Sequence, residues 1–203
     1  MSGERRVDVG RVLARARAAE PDLLDWVLAF LHASGGTVPS RLHLHAGLYI
    51  ASRHLPALAE AVEFAACGMG VWSDGVQDAL EQALANGWVA ARRGRLELSE
   101  LGCERAGSSW RSLSEEGRSV LGEVARFVKG ADRDELLLYT YLVYGGGGKS
   151  DAIDRLLRRR REVAERLLAK GLVSTGLAAE LAGMPYAEFV DRLRRKGARR
   201  GAR

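Results

Sequence analysis

The side chains best suited to meet another molecule lie near the C-terminus of this 203-residue chain. Phe189, Val190 and Leu193 would form one apolar stripe on a helix, leaving Tyr186, Arg192, Arg194, Arg195 and Lys196 largely outside it. A cationic helix face is complementary to phosphate oxygens, and the leading residues of a helix in a major groove lie nearest the bases. Tyr186 and Arg192 are therefore the candidates closest to base edges. Tyr186, Ala187 and Glu188 would matter most for sequence choice, and Arg194, Arg195 and Lys196 would contact mainly phosphate. A second cluster, Arg92, Arg93 and Arg95, falls at the tip of a predicted hairpin, where it could touch a phosphate backbone.

Other constellations fall short of chemistry. Gly145-Gly146-Gly147-Gly148-Lys149-Ser150 resembles a phosphate loop, but Val143 stands where the motif needs its first glycine, and the run reads as a flexible hinge. His43 and His45 diverge if helical, so they do not form a metal pair, and His32 and His54 suit packing or surface roles. Glu60 with Glu63, and Glu115 with Glu116, have no nucleophile or oxyanion donor nearby. Trp26, Trp72, Trp88 and Tyr49 read as core. No catalytic constellation, cofactor or metal site is expected.

The cationic face needs a scaffold, and residues 173–190 supply one. Ser174 can cap a first helix, kept slim by Ala178, Ala179 and Ala182. Gly183 can leave that helix at positive φ, and Pro185 suits the first position of a second. This is a helix-turn-helix pattern. Upstream, a long helix is predicted from Ser150 to Lys170, with Arg158, Arg159, Arg160 and Arg161 as a basic band on it.

The rest of the chain reads as mainly helical. Helices are predicted over residues 9–19, 22–32, 40–53, 55–66 and 74–86, with residues 67–73 a loop. Alternation then shifts to period two in residues 88–92 and 95–98, and Arg93-Gly94 is a two-residue turn between them. Ser99 caps the next helix. Three helices, a small β-hairpin and a following helix make a winged-helix pattern. Residues 107–113 look like a connector, followed by helices over 114–128 and 132–144 and a basic tail from 197, expected to be disordered. The division is an N-terminal helix or arm (1–21), a winged-helix domain (22–107), a helical connector (108–149), and a long helix with helix-turn-helix and basic tail (150–203).

Charge is unevenly spread. Residues 151–203 hold 14 basic and 7 acidic side chains (+7), while residues 1–150 hold 17 and 19 (−2), which together give the net +5. Counterion release would draw a polyanion to the C-terminal end. No apolar run approaches the ~20 residues of a membrane span, no secretory signal is apparent, and two cysteines are too few for a disulfide framework. A cytoplasmic protein is expected. With 27 arginines to 4 lysines, one asparagine and two glutamines, the composition suits a GC-rich, thermophilic source.

Two resemblances follow. Residues 22–106 resemble the SocA/Panacea (YwgA-like) antitoxin-type winged-helix domain. The resemblance is carried by Leu24-Asp25-Trp26-Val27-Leu28-Ala29-Phe30, Arg41-Leu42, Gly68-Met69-Gly70-Val71-Trp72-Ser73, Leu84-Ala85-Asn86-Gly87-Trp88-Val89 and Leu98-Ser99-Glu100-Leu101-Gly102. Met69 and Val71 depart from that family's aromatic-Gly-Pro-aromatic loop. Residues 163–196 resemble a small prokaryotic antitoxin-like helix-turn-helix family. The match runs through Ala164, Leu167, Lys170-Gly171, Val173-Ser174, Ala178-Ala179-Glu180-Leu181-Ala182-Gly183-Met184, Tyr186, Glu188-Phe189 and Leu193, with Pro185 replacing the more usual serine. The resemblance implies a DNA-binding regulator of antitoxin type, partnered by double-stranded DNA and a cognate toxin. A homodimer stays open, as does whether the N-terminal domain touches DNA or protein. The alternative is a toxin-neutralising or scaffold protein without DNA affinity.

Overall fold

The computed structural model describes residues 21–68 and 70–201, with side chains described up to Lys196. The helix expected over residues 9–19, and Met69 of the proposed family loop, lie outside these. Helices make up 68% of the described residues and accompany a small antiparallel sheet, so the fold is mainly helical.

The elements run α1 (Leu23–Ala33), β1 (Thr37–Val38), α2 (Arg41–Ser52), α3 (Pro56–Ala61), β2 (Ala65–Cys67), β3 (Gly70–Trp72), α4 (Asp74–Ala85), β4 (Val89–Arg92), β5 (Arg95–Leu98) and α5 (Glu100–Ser112). They continue with α6 (Glu115–Gly130), α7 (Arg133–Tyr144), α8 (Asp151–Arg158), α9 (Arg160–Ala169), α10 (Thr175–Ala182) and α11 (Tyr186–Gly201). Short polar caps set the helix starts. The side chains of Asp22, Ser40, Ser73, Ser99, Ser114, Asp132, Ser150 and Ser174 each accept an N–H that the helix leaves unpaired, and each such bond contributes about 1 kcal/mol.

One sheet has the strand order β1-β5-β4, with Val89 opposite Leu98 and Arg92 opposite Arg95. Arg93 (φ 52°) and Gly94 (φ 82°) form the predicted turn. Both central residues are left-handed, which matches the right-handed twist of the flanking strands. The pairing of β1 with β5 is new, since a two-residue strand has no periodicity to read.

Five expectations about the elements are corrected. The helix expected to reach Ala66 stops at Ala61, and Ala65 to Cys67 instead pair with β3 in a second hairpin, so that residues 67–73, expected as a loop, hold most of its turn and second strand. The connector expected at 107–113 is helical through Ser112. Gly107 lies buried within it, and the buried Ser109 hydroxyl donates to Asp25 of α1 at 2.8 Å, so small residues here mark close helix packing. The long helix from Ser150 breaks at Arg159 into α8 and α9. The tail from 197 is helical through Gly201.

Apolar side chains form two clusters. The larger spans α1 to α6 and reaches Leu136 of α7, with Phe30, Leu28, Leu44, Leu48 and Leu80 fully buried. The second begins with the neighbouring Leu137 and Leu138 and takes in α8 to α11, with Ala164, Ala178, Ala182 and Phe189 fully buried in it.

Candidate nucleic-acid interface

The C-terminal unit is built around the turn between α10 and α11. Ser174 accepts the Leu177 N–H at 3.2 Å and starts α10. At its end Gly183 is left-handed (φ 64°), and the Met184 N–H donates back to the Ala179 carbonyl at 3.0 Å. This 6→1 closure satisfies a carbonyl the helix would otherwise leave open. Arg160 of α9 completes the turn: its Nε donates to the Ala182 carbonyl at 3.0 Å, and its guanidinium fills the space a Cβ on Gly183 would need. Gly183 is thus required twice, for its backbone angle and for the arginine above it. Pro185 stands one residue earlier than expected. It caps α11 with its carbonyl, which accepts the Phe189 N–H at 3.0 Å.

Phe189 anchors α11 in the second cluster, while Tyr186, Ala187 and Glu188 stay exposed at its leading end. The cations along α11 have different surroundings. The Glu165 carboxylate of α9, only 11% exposed, accepts from Arg192 at 2.5 Å and also from Lys196. Burial alone would raise the Glu165 pKa, but the hydrogen bonds from Lys196 and Arg192 outweigh it and hold the carboxyl below its usual range. Arg192 and Lys196 therefore fasten α11 to α9. Arg194 lies 3.7 Å from Asp191, an exposed pair one turn away. Arg195 makes no ion pair among the described residues and lines a cavity of about 330 Å3 with Arg161, Glu188 and Asp191.

Arg92, Arg93 and Arg95 are exposed together at the β4–β5 tip. Two local costs accumulate there. A non-glycine residue in the left-handed region costs roughly 1–2 kcal/mol, and Arg93 is the one such residue among those described. Arg92 also faces Arg95 directly across the strands, a like-charge pair that is destabilising in water. An anion at the tip would relieve the second cost.

The remaining polar motifs are structural. Gly148 donates its N–H to the Cys67 carbonyl at 3.2 Å and the Ser150 hydroxyl donates to the Gly68 carbonyl at 2.9 Å, so the glycine run is pinned to the β2–β3 hairpin. It is not a free hinge. His43 Nε2 lies 3.2 Å from the Ala131 carbonyl. His45 accepts the Ser73 N–H at 3.2 Å and stacks on Trp72 with centroids 4.0 Å apart. Burial pushes the His45 imidazole down to about 4, with Gln77 opposing the shift. The two histidines are thus committed to separate packing contacts.

No family model, curated protein or solved structure matches this chain. The functional reading therefore rests on its own side chains. Arg160 and Glu165 are the residues at this interface whose parts the sequence did not assign. Residues 158–161 stood out as a basic band, but nothing in their order told which arginine faces the turn.

Proposed function

We propose that the chain is a cytoplasmic transcriptional regulator of antitoxin type that binds double-stranded DNA through α10 and α11. One observation carries the reading. Tyr186, 59% exposed, stands with Ala187 and Glu188 on the leading end of a helix whose entry angle is held by Gly183 and Arg160. In a major groove that end meets base edges, where a glutamate can accept from the cytosine amino group. Arg195 then meets phosphate, while Arg192 and Lys196 mainly position the helix.

The N-terminal part supports a winged-helix reading. Helix, strand and helix are followed by α4 and two strands, and β5 lies between β1 and β4 as in a winged helix. On this reading β4–β5 is the wing, its arginines meet the DNA backbone, and α3 with the β2–β3 hairpin is an insertion. Two free cysteines suit a reducing compartment. Among the described residues no helix is long and apolar enough to cross a membrane.

Fluorescence anisotropy of the full chain with labelled duplex at two salt concentrations tests the reading. Wild type should bind, more weakly at high salt. Arg195→Ala should reduce the slope of log K against log salt by about 0.9, the value of one phosphate contact. Arg192→Ala should change that slope less. Absence of binding to any duplex at low salt would sink the proposal.

One feature favours a second reading, a toxin-neutralising or scaffold protein. An apolar groove of about 330 Å3 is lined by Ile50, Val120, Val124, Phe127, Tyr139 and Leu172. A stable complex lost on Val120→Glu, with no duplex bound by wild type, would establish it instead.

A further inference from the structure

The break at Arg159 (φ −102°, ψ 7°) divides a run of four arginines between two surfaces. Arg158 and Arg159 line a cavity of about 410 Å3 between α7 and α8, together with Arg133 and Arg155 over a floor of Leu137 and Leu156. Arg160 instead meets the α10–α11 turn, and Arg161 lines the cavity that Arg195 lines. Among the described residues Asp134 is the one acid lining the α7–α8 cavity, and it lies 3.8 Å from Arg159. Arg133, Arg155 and Arg158 are exposed and make no ion pair among the described residues.

Arg133 has a second neighbourhood. It also lines a cavity of about 470 Å3 with Arg41, Ala91, Leu96 and Gly94 of the β4–β5 turn. Arg41 there is paired with Glu81 at 2.9 Å, which leaves Arg133 as the unpaired cation. Arg133 thus lines two of these cavities, and the consecutive residues 158–161 lead along the chain from the second of them to the one that Arg195 lines.

We propose that the α7–α8 cavity is a phosphodiester-binding site, and that it joins the β4–β5 turn to α11 in one track for the backbone of a single DNA duplex. The proposal rests on the DNA-binding reading above. Guanidinium forks match phosphate oxygens two at a time. Three unpaired arginines around one cavity repel one another unless an anion lies between them, and a phosphate chain supplies anions at regular intervals. The like-charge pair at the turn, Arg92 opposite Arg95, is relieved by the same ligand. These contacts position without reading sequence, because they involve no base edge.

The test uses the full chain and a labelled duplex long enough to reach both the turn and α11. Arg133→Ala, and Arg155→Ala with Arg158→Ala, alter exposed side chains, and unchanged thermal melts would show the fold intact. Each lost contact should lower the salt slope by about 0.9 and weaken every duplex sequence alike. Arg133→Lys should restore most of the slope. Wild-type slopes in these variants, alongside a lowered slope for Arg195→Ala, would refute the track and leave the α11 reading standing. A loss of affinity confined to a polyglutamate peptide would overturn it in favour of an acidic protein partner. If wild type binds no duplex at all, the track falls together with the reading beneath it.

Discussion

Around α1 the core is made of large side chains, among them Phe30, Leu28, Leu31, Leu44 and Leu80, all fully buried. Around α10 four alanines (Ala164, Ala178, Ala179 and Ala182) pack among leucines, with Phe189 as the single buried aromatic among the described residues of that cluster. Alanine lets helices approach closely but removes little apolar surface from water. The C-terminal unit offsets this with charge. Glu165 holds Arg192 and Lys196, and the fully buried Glu135 accepts from Lys170 at 2.6 Å and from Arg166 at 3.3 Å. Part of the positive charge that marks this end as a polyanion binder is therefore spent on its own architecture. A charge count identifies the right half of the molecule, and only the partners identify which cations remain available.

The largest expected effects test the contrast between the two cores. Phe30→Ala should cost about 4 kcal/mol and Phe189→Ala about 3 kcal/mol in urea unfolding, because the alanine-lined site has less to lose. A larger loss at Phe189 would reverse the comparison.

Acid should separate the regions as well. The folded His45 pKa of about 4 lies below the ordinary 6.5, so the unfolded chain binds the extra proton first as pH falls. Stability is full above 6.5 and is lost between 6.5 and 4, by on the order of 3 kcal/mol. His43, also pushed down by burial against the pull of the Ala131 carbonyl and Asp132, adds in the same direction. Glu165 behaves differently. Its folded pKa lies below 4.5, so its contribution persists above that pH and disappears as pH falls through the lowered value. Unfolding titrations should show His45→Phe flattening the upper window and Glu165→Gln only the lower one. A single shared window would break the distinction.

A smaller effect is expected at the turn. Gly183→Ala should cost about 1–2 kcal/mol from its left-handed backbone, seen as a lower melting temperature. It should also displace Arg160 and weaken duplex binding. Unchanged binding would mean that the α11 entry angle does not depend on this contact.

Much of this arrangement was legible in residue order. The caps at Ser40, Ser99 and Ser174, the Arg93-Gly94 turn and the glycine at 183 are local devices, each readable from a few neighbouring residues. The misses were non-local. Ala65 to Cys67 become a strand only because residues 70–72 lie beside them, and Gly107 stays helical because α1 packs against it. At the interface, Tyr186 and Arg195 were readable as exposed. Arg192 was not readable as held, since Glu165 lies 27 residues away in the chain.

The helix α7 carries one further implication. Leu136 belongs to one cluster and Leu137 and Leu138 to the other, while Leu42, Phe127, Tyr139 and Leu172 touch both. A chain severed after residue 150 would keep α7 but leave two leucines without cover. Severed before it, the first core would lose Leu136. These halves therefore cannot be exchanged between genes as interchangeable modules, and recombination would have to carry both across together.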